Sequence, residues 1–444
     1  VQYNNVDTYG VDNPGDFSTV FGSRVWNFKE RLIYHPLETL KLTARAGYYF
    51  RERNKPGDTQ DRYRDFNGGL KANYTFNTLS NLEVGYTFDQ YDKSDYQVLY
   101  KNDVRDYSNV QHNVHALYNY TFNEKHTLTV GADYLRDYLM SYQFTDNANY
   151  IMHTADVFGQ FDWNPTERLN VIAGLRFDYF SDSNVRHLSP HLGMMYKIGN
   201  CSLRGSYSQG FRSPTLKEMY MVFNMANMMM IYGNPDLKSE TSHNFSLSAE
   251  YTKNRYNFSV TGYYNLVHNR INTVYSEDPK GQIYTNTDKV DIAGVDANIS
   301  AKYPCGLGFR MSYTYIHEFM RDGQKKFTDT RPHTATVRVD WGENLDKVDF
   351  NYSLNGRILS EVKTNVYNDS FNNPAAGSTA VTYPGYMIWD LTFSVGVFKG
   401  VNMNLAINNL FNYVPDYYYF NSPTTTGANL TLGLSLDIDR FFKK

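Results

Sequence analysis

From Leu40 onward the chain alternates. Leu40, Leu42, Ala44, Ala46, Tyr48 and Phe50 interleave with Lys41, Thr43, Arg45, Gly47 and Tyr49. Successive side chains of a strand point to opposite faces, so this run has one apolar face and one wet face. The pattern returns in Leu70-Ala72-Tyr74-Phe76, Leu82-Val84-Tyr86-Phe88, Leu169-Val171-Ala173-Leu175-Phe177-Tyr179, Val295-Ala297-Ile299-Ala301 and Leu430-Leu432-Leu434-Leu436-Ile438. Roughly nineteen such segments can be marked, each long enough to cross a bilayer when tilted. Short turns (77–80, 123–125, 164–167, 198–200, 252–254, 304–306, 342–344 and 399–400) alternate with longer polar stretches near 53–63, 93–110, 138–152, 180–188, 209–242, 266–290, 318–332, 358–385 and 408–428. Short turns at one end and long loops at the other predict an all-β fold, a transmembrane antiparallel β-barrel whose short-turn end is periplasmic.

The first segment, Arg24–Tyr34, descends into a turn at His35-Pro36, and the last, Ala428–Asp439, also descends. The strand count is therefore odd. Single-chain bacterial barrels have even counts, so an odd number of strands, most simply three, is expected before Val1, and the complete barrel would have about twenty-two. Residues 1–444 read as barrel throughout, with Val1–Val20 as the remnant of an outside loop. The chain is expected to be a C-terminal piece still paired with an N-terminal fragment, because bare strand edges in lipid are costly.

Composition sharpens this reading. Forty tyrosines and 28 phenylalanines sit among 30 glycines, a β-rich profile. Mean hydropathy is -0.57, and no run of 18 apolar residues exists, so a helical membrane protein is excluded while a barrel is not. A net charge of -3 offers no basic footprint for nucleic acid. Cys201 and Cys305 lack metal or redox spacing and fall at periplasmic turns three strands apart. That separation is too far for a disulfide.

Two boxes then stand out: Gly210-Phe211-Arg212-Ser213-Pro214-Thr215-Leu216-Lys217-Glu218-Met219-Tyr220 and Gly233-Asn234-Pro235-Asp236-Leu237-Lys238-Ser239-Glu240-Thr241-Ser242. With Asp291-Ile292-Ala293-Gly294-Val295-Asp296 and Asn408-Asn409-Leu410-Phe411-Asn412-Tyr413, they resemble, in order, the FRxP, NPxL, AGVE-like and NLFN-Y segments of TonB-dependent receptors. The resemblance runs from about residue 20 to the C-terminus. It implies location in the outer membrane of a Gram-negative cell, active import of a large scarce cargo, an N-terminal plug and the TonB–ExbB–ExbD coupling complex. The ending Phe441-Phe442-Lys443-Lys444 departs from the usual terminal aromatic residue, and no TonB box or plug-like segment is seen.

Physically, Pro214 lacks a backbone donor and should end its strand, while Arg212 has Glu218 and Glu240 as candidate partners. Phe211, Arg212, Pro214, Asn234, Pro235 and Leu237 all have a structural role as the alternative to a functional one. Between the boxes, six of the fourteen residues 219–232 are methionine. So much flexible apolar surface in an outside loop points to a ligand, a neighbouring loop or a partner. A thioether can ligate haem iron, which makes Met225, Met228, Met229 and Met230, with Tyr220 and Tyr232, candidate contacts. His187 and His317 are further candidates among outside groups that include Tyr3, Tyr9, His153 and His268, whereas His115 and His191 have lumen parity. Tyr417–Phe420 offers stacking surface. Transported haem is the leading cargo, with no intrinsic cofactor and with a haem carrier or surface lipoprotein as possible partner. Cobalamin or a ferric siderophore is the alternative. A passive porin would not need the four segments, and no GxSxG or HExxH supports an outer-membrane enzyme.

Overall fold

The computed structural model describes residues 2–10, 19–145, 148–181, 184–225, 229–287, 290–319, 330–345, 348–368, 377–398, 400–415 and 427–437. One antiparallel sheet of 20 strands dominates, and its members follow chain order through ladder pairing with their neighbours. It runs from Gln2–Val6 through Ser23–Leu37 and Leu40–Asn54 round to Val401–Asn408 and Asn429–Leu436. Omitting Gln2–Val6 leaves nineteen strands, in agreement with the alternation. Ser23–Leu37 pairs with Gln2–Val6 on one side and Leu40–Asn54 on the other; among the described residues no ladder register joins it to Asn429–Leu436.

The outward face carries large exposed apolar side chains, among them Leu70 at 64%, Leu247 at 74% and Leu434 at 67%. Such a surface is stable in lipid and not in water. The opposite face holds Asp61, Glu83, His115 and Asp156. His115 Nε2 lies 3.3 Å from Glu83 Oε1, in keeping with its lumen parity.

Several expectations need correction. Val1–Val20 is not all loop: Gln2–Val6 forms a strand in register with Ser23–Asn27, with the Tyr3 ring tilted against Trp26 at 4.3 Å. The first turn is at Glu38-Thr39, not His35-Pro36; the ladder shifts between Tyr34 and Leu37, and this irregularity absorbs a proline that cannot donate. Residues 342–344 are strand, not turn, pairing with 349–351; residues 346–347 lie outside the described residues. The stretches 53–63 and 93–110 are mostly strand as well, since Thr59–Asn77, Ser80–Gln97 and Asn102–Phe122 continue past the bilayer. Both faces are wet there, so apolar alternation vanishes. Cross-strand ion pairs replace it: Arg53–Asp61 at 2.7 Å, Arg62–Glu52 at 2.9 Å and Lys93–Asp106 at 3.0 Å. At the other end, Asn123 and Glu124 both take positive φ, 48° and 57°, in the three-residue turn between the register partners Phe122 and His126, where Lys125 N donates to the Phe122 carbonyl at 3.0 Å. Cys201 and Cys305 are unpaired, as their separation dictated. The described part of the last strand ends at Leu436, and Tyr417–Phe420 and Phe441–Lys444 lie outside the described residues.

Candidate functional site at the outer rim

Strand Cys201–Arg212 ends where Arg212 pairs in register with Glu240. Pro214, fully buried, stops the ladder. Thr215 then caps a single helical turn, Leu216–Tyr220, through a reciprocal capping box: Glu218 N donates to Thr215 Oγ1 at 3.2 Å and Thr215 N to Glu218 Oε2 at 2.8 Å. The Arg212 Nη1 donates to both Glu218 oxygens, at 2.9 and 2.8 Å, and Nη2 reaches Glu240 at 3.4 Å. One guanidinium therefore ties the strand end, the helix and the returning strand together. Leu216 and Met219 bury themselves against Leu139 and Phe144, and Tyr220 stacks on Tyr150 at 3.9 Å and 5°. The helix is thereby fixed to the outer ends of His126–Ser141 and Asn149–Trp163.

Beyond the helix the chain forms a hairpin, Val222–Met225 with Met229–Tyr232. Its second strand pairs in parallel with Lys280–Thr287 through Ile231–Gln282 and Tyr232–Ile283, and Lys280–Thr287 pairs with Arg270–Glu277. Two separate loops thus share one four-stranded sheet. The second box is the staple. Asn234 Nδ2 donates to the Tyr284 carbonyl at 3.1 Å, and Asn234 Oδ1 accepts from Asp236 N at 2.9 Å. Asn286 accepts from Lys238 N at 2.7 Å and donates to the Lys238 and Asn269 carbonyls, both at 2.8 Å. Leu237 is buried beside this staple and Pro235 is exposed.

Met225 and Met229 are register partners on this hairpin, sharing a face with Phe223 and Ile231. Met230 lies on the other face with Tyr232, over Gly281. Met228 falls outside the described residues. The histidine candidates are not gathered with them. His187 stands near the end of its strand, stacked at 4.2 Å on Phe211, with Nε2 buried and without a hydrogen-bond partner. His317 has the parity of the outward face, edge-on to Phe319 at 4.6 Å. Among the described residues no three His, Cys, Asp or Glu side chains converge as metal ligands.

Sequence reasoning missed an aromatic nest with a cation in it. Lys217 Nζ sits 4.8 Å above the Tyr107 ring, and burial lowers its pKa. Tyr107 continues through Tyr91 at 5.9 Å to Tyr63 at 6.4 Å, all on the lumen face. Tyr142 lies between Lys93, 4.9 Å over its ring, and Phe223 of the methionine hairpin at 5.7 Å. The signal was available in the lumen parity of these tyrosines at the outer ends of their strands. Nearby, burial and the Glu218 charge push the Tyr284 phenol up, so it stays protonated as a donor. A recess of about 1330 Å³ at the short-turn end, between Arg310, Arg338, Asp340 and Phe393, shares no residue with this region.

Residues 1–410 match the family model described as TonB dependent receptor-like, beta-barrel. The iron-regulated outer membrane virulence protein of Vibrio cholerae is 24% identical over 297 residues, covering 62% of this chain and 43% of the relative. The heme/hemopexin utilization protein C of Haemophilus influenzae is 21% identical over 335 residues, covering 64% and 44%. The chain therefore spans less than half the length of these curated relatives. Among solved structures, the siderophore receptor PirA from Acinetobacter baumannii superposes with a TM-score of 0.74 at 16% identity, over 94% of this chain and 71% of that one. Such a likeness speaks for the barrel fold.

Proposed function

Since this chain belongs to the TonB-dependent receptor-like β-barrel family, we propose that it forms the wall and outer loops of an outer-membrane importer that takes up haem. Energy would come from the TonB–ExbB–ExbD complex acting on an N-terminal plug in the lumen. The observation that carries the haem reading is the cross-strand pair Met225 and Met229 on a hairpin held above the rim by two stapled loops. Paired thioethers beside Phe223 combine an iron ligand with an apolar surface for a porphyrin. The similarity to a heme/hemopexin utilization protein supports the same reading.

A second reading, a ferric siderophore, is favoured by Lys217 over Tyr107: a half-buried ammonium in an aromatic nest suits an anionic chelate. Titration of the purified protein separates the two. For haem, Met225→Ala with Met229→Ala should raise the Kd at least tenfold by Soret absorbance while the barrel stays folded. Unchanged haem binding, with ferric siderophore binding lost on Lys217→Met, would select the second reading.

A further inference from the structure

Four tyrosine–histidine pairs recur on the lipid-facing side. Tyr86 with His112, Tyr134 with His153, Tyr207 with His243 and Tyr313 with His333 bring the hydroxyl to Nδ1 at 2.8, 2.7, 2.9 and 2.7 Å. The geometry is the same each time. The tyrosine lies on the strand climbing to an outside loop, and the histidine lies on the strand returning from it. The histidine is two residues outward of the tyrosine's ladder partner, which is Val114, Ala155, Phe245 or Ala335. Each tyrosine belongs to an outward face, with Val84, Val130, Leu203 and Phe319 exposed on the same strands. The intervening hairpin 169–198 puts Phe177 opposite Leu188 and hence exposed Arg186 at the histidine position. In the sixth hairpin Tyr264 meets Asp291 at 3.0 Å.

With the hydroxyl donating to Nδ1, each imidazole carries its proton on Nε2, a donor left for something else. Arg136 makes the first two pairs into a cluster. It is the register partner of both His112 and His153, so the three stand in a row across adjacent strands on the outward face. No carboxylate is ion-paired with Arg136 among the described residues. A guanidinium between two imidazole donors at cross-strand spacing suits an anion bound from outside the wall. An aromatic girdle alone explains the tyrosines but not an unpaired arginine one step beyond them.

We propose that His112, Arg136 and His153 form a binding site for the phosphate of a phosphorylated membrane lipid in the outer leaflet, continued round the barrel by Arg186, His243 and His333. The site faces away from the lumen and does not depend on which cargo is carried. The test uses the purified full-length protein in mild detergent, titrated with diphosphorylated lipid A, with enzymatically dephosphorylated lipid A and with inorganic phosphate, and read by native mass spectrometry. Expected are a preference for the phosphorylated lipid and at least a fivefold loss of that preference in R136Q, with heat-modifiable electrophoretic mobility retained. The H112F/H153F variant, which keeps the surface apolar, should lose it too. Equal binding of both lipids, or a preference unchanged by R136Q, would overturn the proposal. Competition by millimolar inorganic phosphate would do so as well, since it would indicate a free-anion site rather than a lipid site.

Discussion

Arg212 Nη1 lies 2.9 and 2.8 Å from the two oxygens of Glu218, the same carboxylate that closes the capping box on Thr215. One side chain thus satisfies a helix N-terminus and anchors a charge on the strand end. Replacing Glu218 by Ala removes both functions and leaves Arg212 with Glu240 alone. A cap and a charged hydrogen bond are each worth about 1–2 kcal/mol, so the loop should open locally without unfolding the barrel. Limited proteolysis should cut E218A between residues 213 and 239 at least tenfold faster than the parent. Equal rates would show that Leu216 and Met219 packing suffices.

Gly281 has φ of +151°, and a Cβ there would stand 2.5 Å from the Met230 carbonyl oxygen. Gly281→Ala should therefore separate the parallel pair Ile231–Gln282, at a cost of about 1–3 kcal/mol. Binding that needs the Met225–Met229 face should weaken with it. Amide exchange at 231–232 and 282–283 reads the effect, and protection equal to the parent would refute it.

Asn286 makes three hydrogen bonds to backbone groups of two other segments. Asn286→Ala leaves those groups to water, at about 1 kcal/mol each. The expectation is faster exchange at Lys238 with no change in the barrel ladder of Glu240–Lys253. If exchange is unaltered, Asn234 holds the loops by itself.

Burial lowers the Lys217 pKa, so this ammonium gives up its proton at a lower pH than a free lysine. The folded state binds this proton more weakly than the unfolded chain does, so the group's contribution to stability rises with pH through that window. Affinity for an anionic cargo runs the other way, falling as pH climbs through the lowered value. In K217M that alkaline decline should be absent. A decline of the same size in both proteins would remove Lys217 from the site.

Cys201 opens a strand at the short-turn end and Cys305 lies in the turn preceding Leu307. In cells, a membrane-impermeant maleimide should label neither from outside, and both once the periplasm is opened. Labelling of intact cells would invert the assigned orientation.

Alternation and turn length alone determine the architecture, because a lipid face and a wet lumen impose a period of two wherever the strand lies in the bilayer. The nineteen strands from Ser23–Leu37 to Asn429–Leu436 follow from that rule. Above the bilayer the rule lapses. Arg53–Asp61 and Lys93–Asp106 read as loop in the sequence, and only their cross-strand pairing makes them ladder. The partners of Arg212 were legible because Glu218 is local and Glu240 starts the returning strand. Tertiary structure alone decided that Ile231 would pair with Gln282, some fifty residues away, and that Lys217 would rest on Tyr107. It also set Arg136 between His112 and His153. Register between strands is set by turns and packing along the whole wall, and no single segment encodes which side chain of its neighbour it will face.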